Sequence, residues 1–233
     1  MNTDQNKCPF SGSDIVTKPT TAIPVPDRIA KLPVLRGYHV PWFVEKVNGE
    51  FDFRLMSRDK LIAAVLQTRC WVCGEKLGRN KSFVIGPMCG ITRTSAEPPS
   101  HHECAVYAAK VCPFLTNPGM KRRDHEKLKE NSECAGVSID RNPGVCAVWT
   151  SVKFKRFYDG GGGLLFNVGD PEKVEWFAKG REATRAEVIE AIDSGVPILR
   201  DICNSEDTAE RRAQSHAQLD DLRERLDQYL PTE

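Results

Sequence analysis

The stretch from Cys70 to Cys104 constrains this chain more than any other. Cys70-Trp71-Val72-Cys73-Gly74 forms a C-x-x-C-G turn, and Ser100-His101-His102-Glu103-Cys104 follows a Pro98-Pro99 stop. In such a knuckle both thiolates face one point, and Gly74 tolerates the unusual backbone after the second cysteine. Ser100 and Glu103 read as a capping box that opens a helix, with His101 at its first position and Cys104 at its fourth. Side chains three apart share a helix face, so His101 and Cys104 can chelate one ion. His102 lies about 200° around the helix from Cys104 and points elsewhere. Cys70, Cys73, His101 and Cys104 thus offer four soft ligands, which is what a closed structural zinc site takes.

Other ligand sets remain open from sequence. Cys89 follows the apolar run Phe83-Val84-Ile85-Gly86-Pro87-Met88, which reads as part of a hairpin between knuckle and helix. It is the alternative ligand in place of His101. Joined with Cys70, Cys73 and Cys104 it would also permit an iron–sulfur cluster. A further reading has buried thiols and no metal. Cys112 is too distant, because eight residues of helix rise about 12 Å. Pro113 stops the helix there, and Cys112 reads as a small apolar residue.

Knuckle, hairpin and a helix carrying two ligands in its first turn resemble the treble-clef zinc finger over residues 68–113. The resemblance implies a zinc-stabilised module that binds nucleic acid or protein, or that scaffolds a nuclease. The nuclease branch needs a histidine-bearing strand between the ligand pairs, and residues 74–100 contain no histidine. The stretch from Cys70 to Phe114 also resembles uncharacterised proteins of bacteria and their phages, which implies no function.

The chain has 233 residues, enough for one large or two small domains, with the 40% apolar and 28% charged content of a globular protein. No signal peptide is visible, and no apolar run approaches the roughly 20 residues of a membrane span. Nine cysteines without an export signal fit metal binding or free thiols in the cytoplasm better than a disulfide framework. Charge is uneven: residues 1–160 carry 24 Lys and Arg against 16 Asp and Glu, and residues 161–233 carry 9 against 16. A basic body with an acidic tail can meet DNA or RNA, or the halves can simply neutralise each other.

Residues 1–35 read as a proline-interrupted arm, and residues 36–113 as a hairpin, a helix and the zinc module. Asn48-Gly49 turns the hairpin, and Ser57 caps a helix to about Arg69 that buries Leu61, Ile62, Val65 and Leu66. Residues 114–144 read as a loop or linker. Residues 145–203 read as a ββαα unit: a long strand from Val145 to Tyr158, a glycine turn, a return strand from Leu164 to Val168, then two helices. Asp170-Pro171 starts the first helix, and the Thr184-Arg185-Ala186-Glu187 capping box the second. Residues 204–233 read as a C-terminal helix whose Leu219, Leu222, Leu226 and Tyr229 pack on the body or meet a protein partner.

Two basic segments are candidate nucleic-acid contacts. Lys121, Arg122 and Arg123 cluster in the loop. Lys153, Lys155 and Arg156 interleave with Phe154, Phe157 and Tyr158, as on surfaces that stack bases. The plainer reading is a strand with one face in the core. Cys134 and Cys146 can pair on oxidation or stay free. None of the five histidines falls in a recognisable nucleophile–base arrangement, so no catalytic residue is assigned. The expectation is an α+β protein: a zinc-stabilised treble-clef-like module, a ββαα unit and a C-terminal helix. It binds one structural Zn2+ and nucleic acid, with a protein–protein adaptor or phage or host regulatory factor as the alternative, and an enzyme with scattered site residues behind both.

Overall fold

The computed structural model describes residues 23–120, 135–136, 139 and 141–232. Helix α1 (Asp27–Ala30) leads into the short antiparallel strands β1 (Val34–Leu35) and β2 (Tyr38–His39), so regular structure begins within the stretch read as an arm. The next hairpin, β3 (Val44–Val47) and β4 (Glu50–Met56), turns at Asn48 (φ 52°) and Gly49 (φ 87°). These angles suit the type I′ turn that matches strand twist. Ser57 then precedes α2 (Arg58–Gln67), which ends where Thr68 turns left-handed. The packed stripe of α2 runs through Leu61, Ala64 and Val65. This i, i+3, i+4 stripe is narrower than the sequence suggests, and it leaves Ile62 and Leu66 exposed.

The rest is built on one antiparallel sheet. Strand β5 (Lys81–Ile85) joins β7 (Val145–Ser151), β10 (Lys173–Ala178) and β11 (Arg181–Glu182) in the order β11-β10-β7-β5. β7 is central and buried along its whole length. Its side chains alternate between faces, as strand geometry requires. Val145, Ala147 and Trp149 enter the main core with Phe83, Ile85 and Trp176. That core is closed by α3 (Pro87–Thr92), α6 (Arg185–Asp193), α7 (Val196–Asn204) and α8 (Ala209–Asp227). Cys146 and Val148 point the other way, onto Ala105 and Ala109 of α4 (His102–Val111). A short α5 (Pro113–Thr116) follows. A second sheet pairs β6 (Thr94–Ser95), β9 (Leu164–Asn167) and β8 (Lys155–Tyr158) in the order β6-β9-β8. Helix and sheet are therefore mixed, consistent with an α+β protein.

The second half departs from the ββαα pattern, for identifiable reasons. The long strand from Val145 to Tyr158 is two strands: β7 stays in the central sheet, and β8 joins the second. The helix expected from Asp170-Pro171 is strand β10. Its Trp176 and Ala178 alternate into the core, and its pairing with β7 extends over Lys173–Ala178. Sheet pairing here overrides a local helix-start signal. The Thr184 capping box forms as expected, with the Thr184 hydroxyl accepting from Glu187 N–H and the Glu187 carboxylate accepting from Thr184 N–H. Between it and the last helix lies α7, which was not anticipated. Helix α8 buries Leu219 and Leu226 in the main core, with Leu222 and Tyr229 packed against it, so the apolar stripe serves the body. Full burial of each leucine contributes about 1.5–3 kcal/mol. Among the described residues, no helix is long and apolar enough to cross a membrane.

Candidate metal centre

The knuckle is set by its own backbone. Cys70 N–H bonds Glu75 C=O (2.7 Å), Gly74 N–H bonds Cys70 C=O (2.9 Å), and Arg69 and Lys76 pair as an isolated bridge. Gly74 has φ +77°, and an added Cβ there would lie 2.6 Å from the Trp42 indole. Glycine is thus required twice, by conformation and by close approach.

The second ligand pair is delivered differently from the sequence expectation. The capping box at Ser100 does not form: α4 begins at His102, and His101 is its N-cap residue. Ser100 is occupied instead in a reciprocal backbone pair with Ser82 of β5 (2.8 and 2.9 Å), and Trp71 N–H bonds Pro99 C=O (3.1 Å). These bonds pin the entry of α4 to the sheet and to the knuckle. The Glu103 carboxylate accepts from Arg28 Nε (2.8 Å), and Arg28 also pairs with Glu75. Arg28 ties α1 to both ligand-bearing segments, and no sequence pattern near it announces that role.

The result brings Cys70, Cys73, His101 and Cys104 together, with one ligand atom from each, all within 4.8 Å of one another. His101 Nδ1 lies 3.4 Å from Cys73 Sγ and 4.0 Å from Cys104 Sγ. A tetrahedral zinc with ordinary bond lengths has N–S edges of about 3.6 Å and S–S edges of about 3.8 Å. His101 Nε2 lies 3.1 Å from Lys76 C=O. A carbonyl can only accept, so this contact holds the proton on Nε2 and leaves Nδ1 free to ligate, as imidazoles that bind metals usually do. Cys70 Sγ accepts N–H bonds from Cys73 and His101, each 3.4 Å. The three sulfurs are buried and belong, with Ile29, Val72 and Leu77, to a small core cluster of their own. These four residues are placed to hold a metal ion, and their chemistry is compatible with zinc.

Electrostatics point the same way. Burial opposes a charge on Cys70, but hydrogen bonds from the Cys104 and Cys73 thiols and from two backbone N–H groups outweigh it and hold its pKa well below the ordinary thiol value. For Cys73 a hydrogen bond with Cys104 favours the thiolate, yet the Cys70 charge and burial push the group up to about 11. Cys104, hydrogen-bonded to Cys70 and Cys73 and buried, is held protonated far above the ordinary range. Three crowded thiols cannot ionise together unless a cation takes the place of the shared protons.

The other candidates fall apart from this cluster. Cys89 lies on α3 and packs against the main core, because β5 carries the chain away from the knuckle to pair with β7. That pairing also removes the local hairpin expected between knuckle and helix. His102 points away as expected, its Nε2 paired with Glu175 of β10. Cys146 is buried in β7, and burial pushes its thiol up to about 12. Cys134, its suggested partner, lies outside the described residues, as do Lys121, Arg122 and Arg123. Lys153, Lys155 and Arg156 are exposed, and so are Phe157 and Tyr158, while Phe154 turns in against Phe83 and Phe166. Strand β8 is therefore exposed on both faces rather than half-buried. Comparison of the chain with protein-family models, with curated proteins and with solved structures returned no match.

Proposed function

We propose that the chain is a non-enzymatic zinc protein that binds nucleic acid. Cys70, Cys73, His101 and Cys104 hold one structural Zn2+ per chain, in a treble-clef-like module that carries the surrounding body. The observation behind the zinc is the mutual approach of three buried sulfurs and one imidazole nitrogen within 4.8 Å. Four protein ligands fill the coordination shell, which leaves no position for a reacting water. The small cluster around them has little apolar mass beyond the ligands, so the metal would replace core that these elements lack.

Strand β8 supports the nucleic-acid reading. It lies at the edge of its sheet, with Lys155, Arg156, Phe157 and Tyr158 all exposed. Cations beside accessible rings suit phosphate contacts and base stacking on a single strand. The test is a salt titration of the zinc-loaded chain with labelled single-stranded DNA and RNA. Affinity should fall steeply as salt rises, and Tyr158→Ala with Lys155→Glu should weaken it about tenfold or more. Salt-independent binding, or none, would sink the proposal and leave the protein-adaptor reading, for which the exposed Ile62 and Leu66 of α2 offer an apolar contact.

A further inference from the structure

Strand β8 ends its sheet with an open edge. It pairs with β9 over Lys155–Tyr158 without a register shift, and among the described residues no main chain pairs with its other side. All four of its residues are exposed. The ladder runs one residue further, because Asp159 N–H donates to Gly163 C=O (2.9 Å). An open edge presents unpaired N–H and C=O groups to any second strand, and sheets usually guard it with proline, a bulge or charge. Residues 155–159 contain no proline and no bulge, so the guard is charge alone, on Lys155 and Arg156. Whether that charge repels another strand depends on what it faces.

For a second copy of this chain, the facing residues follow from the strand itself. Two copies meeting edge to edge about a two-fold axis run antiparallel. Opposed residues must then both aim their N–H and C=O groups at the partner, or both away from it. These directions alternate along a strand, so opposed positions differ by an even number, and a residue on the axis faces itself. Two registers centre the axis on the middle of β8. With Arg156 on the axis, two guanidinium groups oppose each other, which is destabilising. With Phe157 on the axis, Phe157 faces its own copy, Arg156 faces Tyr158, and Lys155 faces Asp159.

Each of these pairs is complementary. Aromatic pairs and opposite charges across strands are favourable. Arg156 gives one N–H to Val65 C=O (3.2 Å), and its planar guanidinium can still lie over a phenol ring. Main-chain N–H groups of Gly136 and Gly163 donate to the Asp159 carboxylate and hold its pKa below the ordinary value, so it faces Lys155 as an anion.

We propose that β8 is a dimerisation edge, pairing antiparallel with β8 of a second copy in the register centred on Phe157 and joining their two three-stranded sheets into one. Such pairing uses the edge and leaves both sheet faces open, so it is independent of nucleic-acid binding by the same strand.

The test is sedimentation equilibrium of the full zinc-loaded chain, freed of nucleic acid by nuclease and a high-salt wash. The mass should double as concentration rises through the micromolar range. Phe157→Lys or Phe157→Glu sets like charges on the axis, and each should weaken the dimer at least about tenfold. Mixed in equal amounts, the two variants bring opposite charges together and should associate again, which requires residue 157 to face its own copy. Circular dichroism and zinc content check the fold of each. Tyr158→Arg, at a 71% exposed site, sets a cation against Arg156 and should also weaken the dimer, which serves if the Phe157 variants do not fold. A chain that stays monomeric, or a dimer unchanged in folded Phe157→Lys or Tyr158→Arg, would overturn the dimerisation edge. Failure of the mixed variants to associate would overturn the register.

Discussion

Replacing Gly74 with alanine should damage the knuckle far more than the same change at Gly49, although both residues have positive φ. Gly49 sits at φ +87° and an added Cβ there meets nothing within 4 Å. Its substitution therefore costs backbone strain alone, about 1–2 kcal/mol. At Gly74 the φ of +77° brings similar strain, and the new Cβ also falls 2.6 Å from two atoms of the Trp42 ring. The Trp42 main chain cannot withdraw, because its backbone N–H donates to Val72 C=O at 2.6 Å, inside the knuckle itself. Overpacking of this kind adds about 1–3 kcal/mol, so Gly74→Ala should lose about 2–5 kcal/mol in total. Urea unfolding of the zinc-loaded variants, read by fluorescence and paired with a chelator competition for the metal, measures both effects. Gly74→Ala should lower the unfolding midpoint and release zinc more readily. A loss no larger than that of Gly49→Ala would refute the idea that Trp42 clamps the knuckle.

Other changes separate the roles assigned above. Cys89→Ser should keep full zinc occupancy, since Cys89 packs on α3 outside the ligand cluster; metal analysis checks this. Trp149→Ala should cost about 3–5 kcal/mol in chemical denaturation, because it empties a fully buried site of the central sheet. Thr184→Ala should cost about 1 kcal/mol by removing the cap of α6. Hydrogen bonding to Arg181, and then to the Thr184 N–H, holds the Glu187 carboxyl down to about 2 from an ordinary 4.5. Its folded pKa lies below the unfolded one, so its contribution is complete above about pH 4.5 and fades as pH falls toward about 2. Glu187→Gln should flatten that part of the stability–pH curve.

The Cys and His cluster that could hold a metal ion was legible because its signals are local. Cys70, Cys73 and Gly74 fix a knuckle within five residues, and helix geometry relates His101 to Cys104 wherever the helix begins. His101 reaches the cluster from the N-cap rather than from the first turn, so a shift of one position did not change which side chains meet. The sheet was much less legible. Pairing of β5 with β7 joins residues more than sixty apart, and nothing in either strand names its partner. Pairing of β10 with the other edge of β7 turned the expected Asp170 helix into a strand, and the pairing of β5 with β7 drew Cys89 away from the knuckle. Arg28 belongs to this class too, because its partners Glu75 and Glu103 lie on segments distant from it in sequence.

X-ray absorption at the zinc edge of the freshly purified full chain tests the central claim most directly. The account predicts one zinc per chain with a first shell of three sulfurs at about 2.3 Å and one nitrogen at about 2.0–2.1 Å. A four-sulfur shell would contradict the place given to His101, iron in place of zinc would mean a cluster chemistry that the Cys89 position does not support, and a chain that retains no metal would remove the basis of the proposed function.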